Sequence, residues 1–191
     1  MPQIKNVEIF WSRLDPERPH PRYKKKHVLE WSLAIRTDDP DVADRWKDEF
    51  FLKSQQKKDE ETGKRYYQAN LKKLAIDLEK HKLKELVLPE NKDLMFNPVE
   101  VFDTRLNKLD ARTIGNGSIG NIIVKLREWE YDGDKGTTPD LQRVQITRLV
   151  PYYFEVEEFD EIDEDLEIIE GNIGGEPKSS SESVDDDEEV Y

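Results

Sequence analysis

The chain has 191 residues, of which 35% are apolar and 38% charged, and its formal net charge is −13. It contains no cysteine, which excludes disulfides, thiolate metal sites and a cysteine nucleophile. The charge is divided unevenly. Residues 1–154 carry 29 basic and 26 acidic side chains, a net of +3, whereas residues 155–191 carry one lysine and 17 acids, a net of −16.

Residues 4–14 alternate, with Val7, Ile9 and Trp11 on one face, which predicts a strand. The opening MPQIKNVEIFWSRL has no apolar signal-peptide core, and no apolar run approaches the ~20 residues that span a bilayer. The expected location is therefore the cytoplasm, with no membrane partner. Residues 15–27 hold three prolines and the basic run Lys24–Lys26, and read as an exposed loop. Residues 27–36 (HVLEWSLAIR) alternate with Leu29, Trp31, Leu33 and Ile35 together, a strand that assigns Trp31 to the core.

The DDP at 38–40 caps a helix predicted over 41–52, carrying Trp46, Phe50 and Phe51. A charged connector at 53–65 leads to a strand at 66–76. Residues 77–98 are charged and match no single pattern. The turn GNGSIGN at 115–121 feeds a strand at 121–131, DGDKG at 132–136 is a turn, and a strand follows at 141–150. Short strands with turn-rich connectors and one or two helices predict a β-rich compact barrel or sandwich. After Phe154, Ile162, Leu166, Ile168 and Ile169 suggest a transition segment at 155–170. Residues 171–191 are Gly, Ser, Asp and Glu with little else, too few apolar groups to offset the entropy of ordering.

Few motifs carry chemistry. GNGSIG at 115–120 matches a dinucleotide-binding pattern by letter, but a β-branched alternating segment follows it instead of a helix. DGDKG is close to a calcium loop, yet Gly136 and Thr137 stand at its fifth and sixth positions and Arg143 stands where the bidentate Glu belongs. Asn116–Ser118 matches a glycosylation sequon without a secretory signal. His20, His27 and His81 are isolated in polar surroundings. Glu100 with Asp103, and Glu128 with Glu130, are carboxylate pairs of the kind that hold a metal, but such pairs are common in so acidic a chain.

The strand at 121–131 is the most informative. Ile122, Val124 and Leu126 point one way, and Lys125, Arg127, Trp129 and Tyr131 the other. Two cations and two aromatics on one face suit a single nucleic-acid strand, with rings for bases and cations for phosphates. Trp129 and Tyr131 would equally pack under a loop or at a dimer contact. Tyr66, Lys72 and Lys73 on one strand, Arg105, Lys108 and Arg112 before the glycine turn, and Arg143, Arg148 and Tyr152 on and after the next strand extend the candidate surface. Any one of these alone reads as well as a solvated side chain.

FNPVEVFDTRLN, IGNGSIGNIIVKLREWEY and LQRVQITRLVPY, with the acidic terminus ending on Tyr191, resemble phage replicative single-stranded DNA-binding proteins over roughly residues 60–154 and the tail. The resemblance implies an OB-like β-barrel in residues 1–154, with a disordered acidic tail at 171–191. It implies no catalysis and no cofactor, and sequence-tolerant coating of single-stranded DNA in replication, recombination and repair. It also implies a homodimer in the host cytoplasm. Its tail (Asp185, Asp186, Asp187, Glu188, Glu189 and Tyr191) would compete with DNA and contact the replicative polymerase and helicase–primase. Two other readings stand beside it. One is an acidic adaptor that never touches nucleic acid. The other is a metal-dependent nuclease using Glu100, Asp103, Glu128 and Glu130.

Overall fold

The computed structural model describes residues 1–152; the readings made for residues 153–191, including the transition segment and the tail, lie outside the described residues. Among the described residues, eight strands and one helix occur in the order β1 (Gln3–Arg13), β2 (His20–Arg22), β3 (Lys25–Thr37), α1 (Pro40–Phe50), β4 (Gln55–Lys58), β5 (Arg65–Asp77), β6 (Glu100–Phe102), β7 (Ser118–Tyr131) and β8 (Asp134–Arg148). Short 3-10 turns lie at Lys92–Leu94 and Ala111–Thr113.

The five long strands close on themselves. β1 pairs antiparallel with β3 and β7, β3 with β5, and β7 with β8. The ring is completed by a parallel contact of β5 with β8 at Lys72 and Asp140. Numbered one to five along the chain, the long strands therefore run 1-2-3-5-4-1 around the ring, a Greek-key barrel of the OB type. Closure leaves these strands few unpaired edges.

Alternation fills the interior. Ile4, Val7 and Ile9 of β1, Trp31, Leu33 and Ile35 of β3, Ala69 and Leu71 of β5, Ile122 and Val124 of β7, and Leu141 and Val144 of β8 are all buried in one cluster. Trp31 is fully buried, as the sequence predicts, and its indole N–H donates to the Asp15 carbonyl at 2.8 Å. Helix α1 starts where Asp39 accepts from the Asp41 N–H and adds Trp46 and Phe50 to the same core. Among the described residues, no helix is long and apolar enough to cross a membrane.

Several expectations are corrected. Trp11 does not share the face of Val7 and Ile9. The β1–β3 register shifts between Phe10 and Arg13, Trp11 takes a left-handed φ of 47°, and its ring is 48% exposed. The loop at 15–27 contains β2, hydrogen-bonded to β3, and the connector at 53–65 contains β4 on the edge of β5. The turn at 132–136 is only Asp132 and Gly133, with φ of 51° and 84°, the left-handed pair that a two-residue hairpin requires. The flanking residues belong to β7 and β8, so the hairpin arm is longer than expected.

Candidate nucleic-acid interface

The outer faces of β3 and β5 follow from the same alternation. With Trp31, Leu33 and Ile35 inside, Glu30, Ser32, Ala34 and Arg36 face out. Register sets them beside Leu74, Lys72, Asn70 and Gln68 of β5. A groove of about 400 Å3 runs along the β5 side of this surface. Its lining comes from β5 (Asn70, Lys72, Leu74), from β2 (Arg22), from the chain after α1 (Phe51, Lys53) and from the hairpin arm (Arg127, Trp129, Asp140).

Trp129 is 45% exposed. Its cross-strand partner is Gly136, and a Cβ there would lie 2.5 Å from the indole Cζ2. Glycine thus lets the ring lie against the neighbouring strand instead of standing off it. Arg127, two residues earlier on the same face, pairs with Asp140 at 3.2 Å and remains largely exposed.

The groove's cations are organised by a buried acid. Glu30 has a side chain only 3% exposed, with Arg22 Nε donating to one oxygen and Lys72 Nζ to the other, each at 2.7 Å. His20 stands nearby, its Nε2 3.1 Å from Ser32 Oγ. Burial first, then the charge of Arg13, holds its pKa below the ordinary histidine value, so it is neutral at pH 7.

A second hollow lies on the same outer surface. The Arg36 guanidinium carbon is 4.0 Å from the Phe10 ring centre, 4.3 Å from that of Trp11 and 4.3 Å from that of Tyr66. Arg36 Nε also donates to Gln68 Oε1 at 3.2 Å. Gln68 lines the first groove and Arg36 the second, so the two meet at this hydrogen bond.

The candidates read from sequence therefore separate. Lys72, Arg127 and Trp129 come together in the first groove. Lys125 and Tyr131 lie on the same hairpin face as Trp129, both exposed, outside that lining. Tyr66 joins the Arg36 cluster. Lys73 is on the opposite face of β5 from Lys72, because neighbouring strand residues alternate. It reaches Gln142 Oε1 at 3.4 Å, and burial lowers its pKa. Arg112 is paired with Asp110 at 2.7 Å; with Tyr152 it borders a third hollow shared with Trp11 and Arg13. Arg143 is held by Glu100 at 2.7 Å, Arg148 lies opposite Ile119, and Arg105 and Lys108 occupy the exposed turn after β6.

Three of the four candidate carboxylates have partners of their own, Glu100 with Arg143 among them. Asp103 accepts from the Asn107 side chain and from backbone N–H groups of Asn107 and Arg105, bonds that hold its carboxyl below the usual range. Glu130 pairs with Lys135 at 3.3 Å. Among the described residues, no three acidic or histidine side chains gather as a metal site.

The sequence reading missed Glu30, Arg22, Arg36, Phe10 and Lys53. The signal for Glu30 and Arg36 was present, as the outward positions of HVLEWSLAIR. The signal for Arg22 was not, since its role depends on β2 folding onto β3.

Fold and groove together define an OB-type barrel with an aromatic and cationic cleft between its third long strand and its last hairpin. No family model matches the chain, and no curated protein matches it in sequence. Among solved structures, the chain is similar to the single-stranded DNA-binding protein from bacteriophage Enc34, at 12% identity over 81% of this chain and 84% of that one, TM-score 0.46. The same protein in complex with ssDNA aligns at 11% identity over 79% and 88%, TM-score 0.46. The chain is also similar to gp2.5, a single-stranded DNA binding protein encoded by bacteriophage T7, at 14% identity over 82% and 98%, TM-score 0.42.

Proposed function

We propose that this protein binds single-stranded DNA without sequence preference, along the groove between β5 and the β7–β8 hairpin. One observation carries the reading. The outer face of the second and third strands, with the loops after the first and fourth, is where OB barrels take oligonucleotides. In this chain that place gathers Trp129 with Arg22, Lys72 and Arg127. A ring for stacking beside cations for phosphates is the combination that a flexible single strand requires.

The test is titration of tryptophan fluorescence with oligo-dT at several salt concentrations. The expected result is saturable quenching whose log affinity falls linearly with log salt, by about 0.7 per phosphate neutralised. Quenching absent at all salt concentrations would overturn the reading in favour of an adaptor.

The tail belongs to the same proposal. Residues 155–191 carry 17 acids against one lysine. A tethered polyanion reaches an effective concentration of about millimolar at a cationic groove, where it competes with DNA. Released by DNA, Asp185–Glu189 and Tyr191 are then available to replication proteins, the polymerase and helicase–primase among them, and the working unit is a homodimer. Deleting residues 171–191 is expected to tighten binding to single strands, measured in the same titration; weaker binding would sink the competition.

A further inference from the structure

Trp11 is turned outward at some energetic expense. The Trp11 backbone takes a φ of 47°, a strained conformation for so bulky a residue, and simple alternation would have buried its ring among Val7 and Ile9. The conformation is held from outside the strand: the Trp11 N–H donates to Asn116 Oδ1 at 2.7 Å. Bulges of this kind re-aim side chains beside functional sites.

The ring is also held in place from the side. Arg36 lies within 4.3 Å of the Trp11 ring centre, and Lys57 Nζ is 5.9 Å from it. Arg36 does the same for Phe10 and Tyr66. The result is a set of aromatic rings clamped by a guanidinium, with Trp11 nearly half exposed. Trp11 borders the hollow that contains Arg13 and Tyr152. Arg36 links the cluster to the first groove through Gln68.

We infer that Trp11 is a second stacking platform for the same strand of nucleic acid, which passes from Trp129 across the Arg36–Gln68 pair to Trp11. This rests on the proposed single-strand binding and extends it to a second base-contacting site on β1. Its ligand is further nucleotides of the bound strand. A protein partner would be favoured by a mainly apolar patch; here each ring has a cation against it, which suits bases flanked by phosphates.

The tryptophan content makes the test direct. The chain has four tryptophans; Trp31 and Trp46 are buried, and Trp11 and Trp129 are exposed. In full-length Trp129→Phe protein, Trp11 is the only exposed tryptophan. An end-labelled oligo-dT of about 16 nucleotides, the upper end of OB site sizes, is followed by anisotropy while intrinsic fluorescence is recorded. Quenching in Trp129→Phe protein that tracks the anisotropy, and is lost in Trp11→Phe/Trp129→Phe protein, is the expected result. Trp11→Ala is expected to weaken binding about tenfold or more. Anisotropy that saturates in Trp129→Phe protein without quenching overturns the second platform and leaves the first groove standing. No anisotropy change with the parent protein overturns the single-strand reading itself.

Discussion

Replacing Trp129 with alanine is expected to weaken oligo-dT binding by about 1–3 kcal/mol, roughly 5- to 150-fold, with little change in unfolding free energy. The ring is about half exposed and sits on the hairpin arm, beyond Val124, the last fully buried residue of β7. Truncating it removes a stacking surface and leaves the barrel core untouched. Gly136→Ala gives an independent approach, because the added methyl occupies the space where the indole now rests. It is expected to weaken binding in the same direction while the tryptophan is still present. Urea denaturation of both variants is the control. If Trp129→Ala binds like the parent but unfolds at lower urea, the ring stabilises the hairpin and the groove does not stack bases through it.

The outward face of β7 was legible because nothing interrupts its alternation from Ile122 to Tyr131, and a period of two assigns faces without knowledge of partners. Trp31 was legible for the same reason on β3. Trp11 was not. Its orientation depends on a bulge stabilised by Asn116, a residue 105 positions away, and the local pattern of β1 favours burial. Lys72 and Lys73 illustrate a different limit. As a pair they signal a basic strand, but only the barrel's inside and outside separate them, with Lys72 on Glu30 and Lys73 turned toward Gln142. The closed ring was legible only as a class, since β5 meets β8 through one parallel contact. The hairpin's length was underestimated because Gly136 reads as part of a turn, whereas it lies within β8 to accommodate Trp129.

The second large effect is on stability and concerns the groove's own cations. Glu30 is a carboxylate with a side chain 3% exposed, and burying such a charge is tolerated only with well-placed partners. Arg22 and Lys72 are those partners, one on each oxygen at 2.7 Å. Burial and the charge of Arg13 lower the His20 pKa, which favours its neutral form and makes it a poor substitute for these two cations. Arg22→Ala/Lys72→Ala is therefore expected to lose about 3–5 kcal/mol of unfolding free energy, the usual effect of leaving a buried charge unpaired. Adding Glu30→Gln to that double variant is expected to restore most of the loss, because the uncompensated charge is removed with its partners. A double variant as stable as the parent would mean that Glu30 needs neither partner, and a triple variant no better than the double would mean that the loss comes from the side chains removed and not from the charge left behind. The restored triple variant also separates two effects that any charge deletion in this groove combines. Its DNA affinity, compared with the parent at matched stability, reports what Arg22 and Lys72 contribute to phosphate binding once their task of neutralising Glu30 has been taken away.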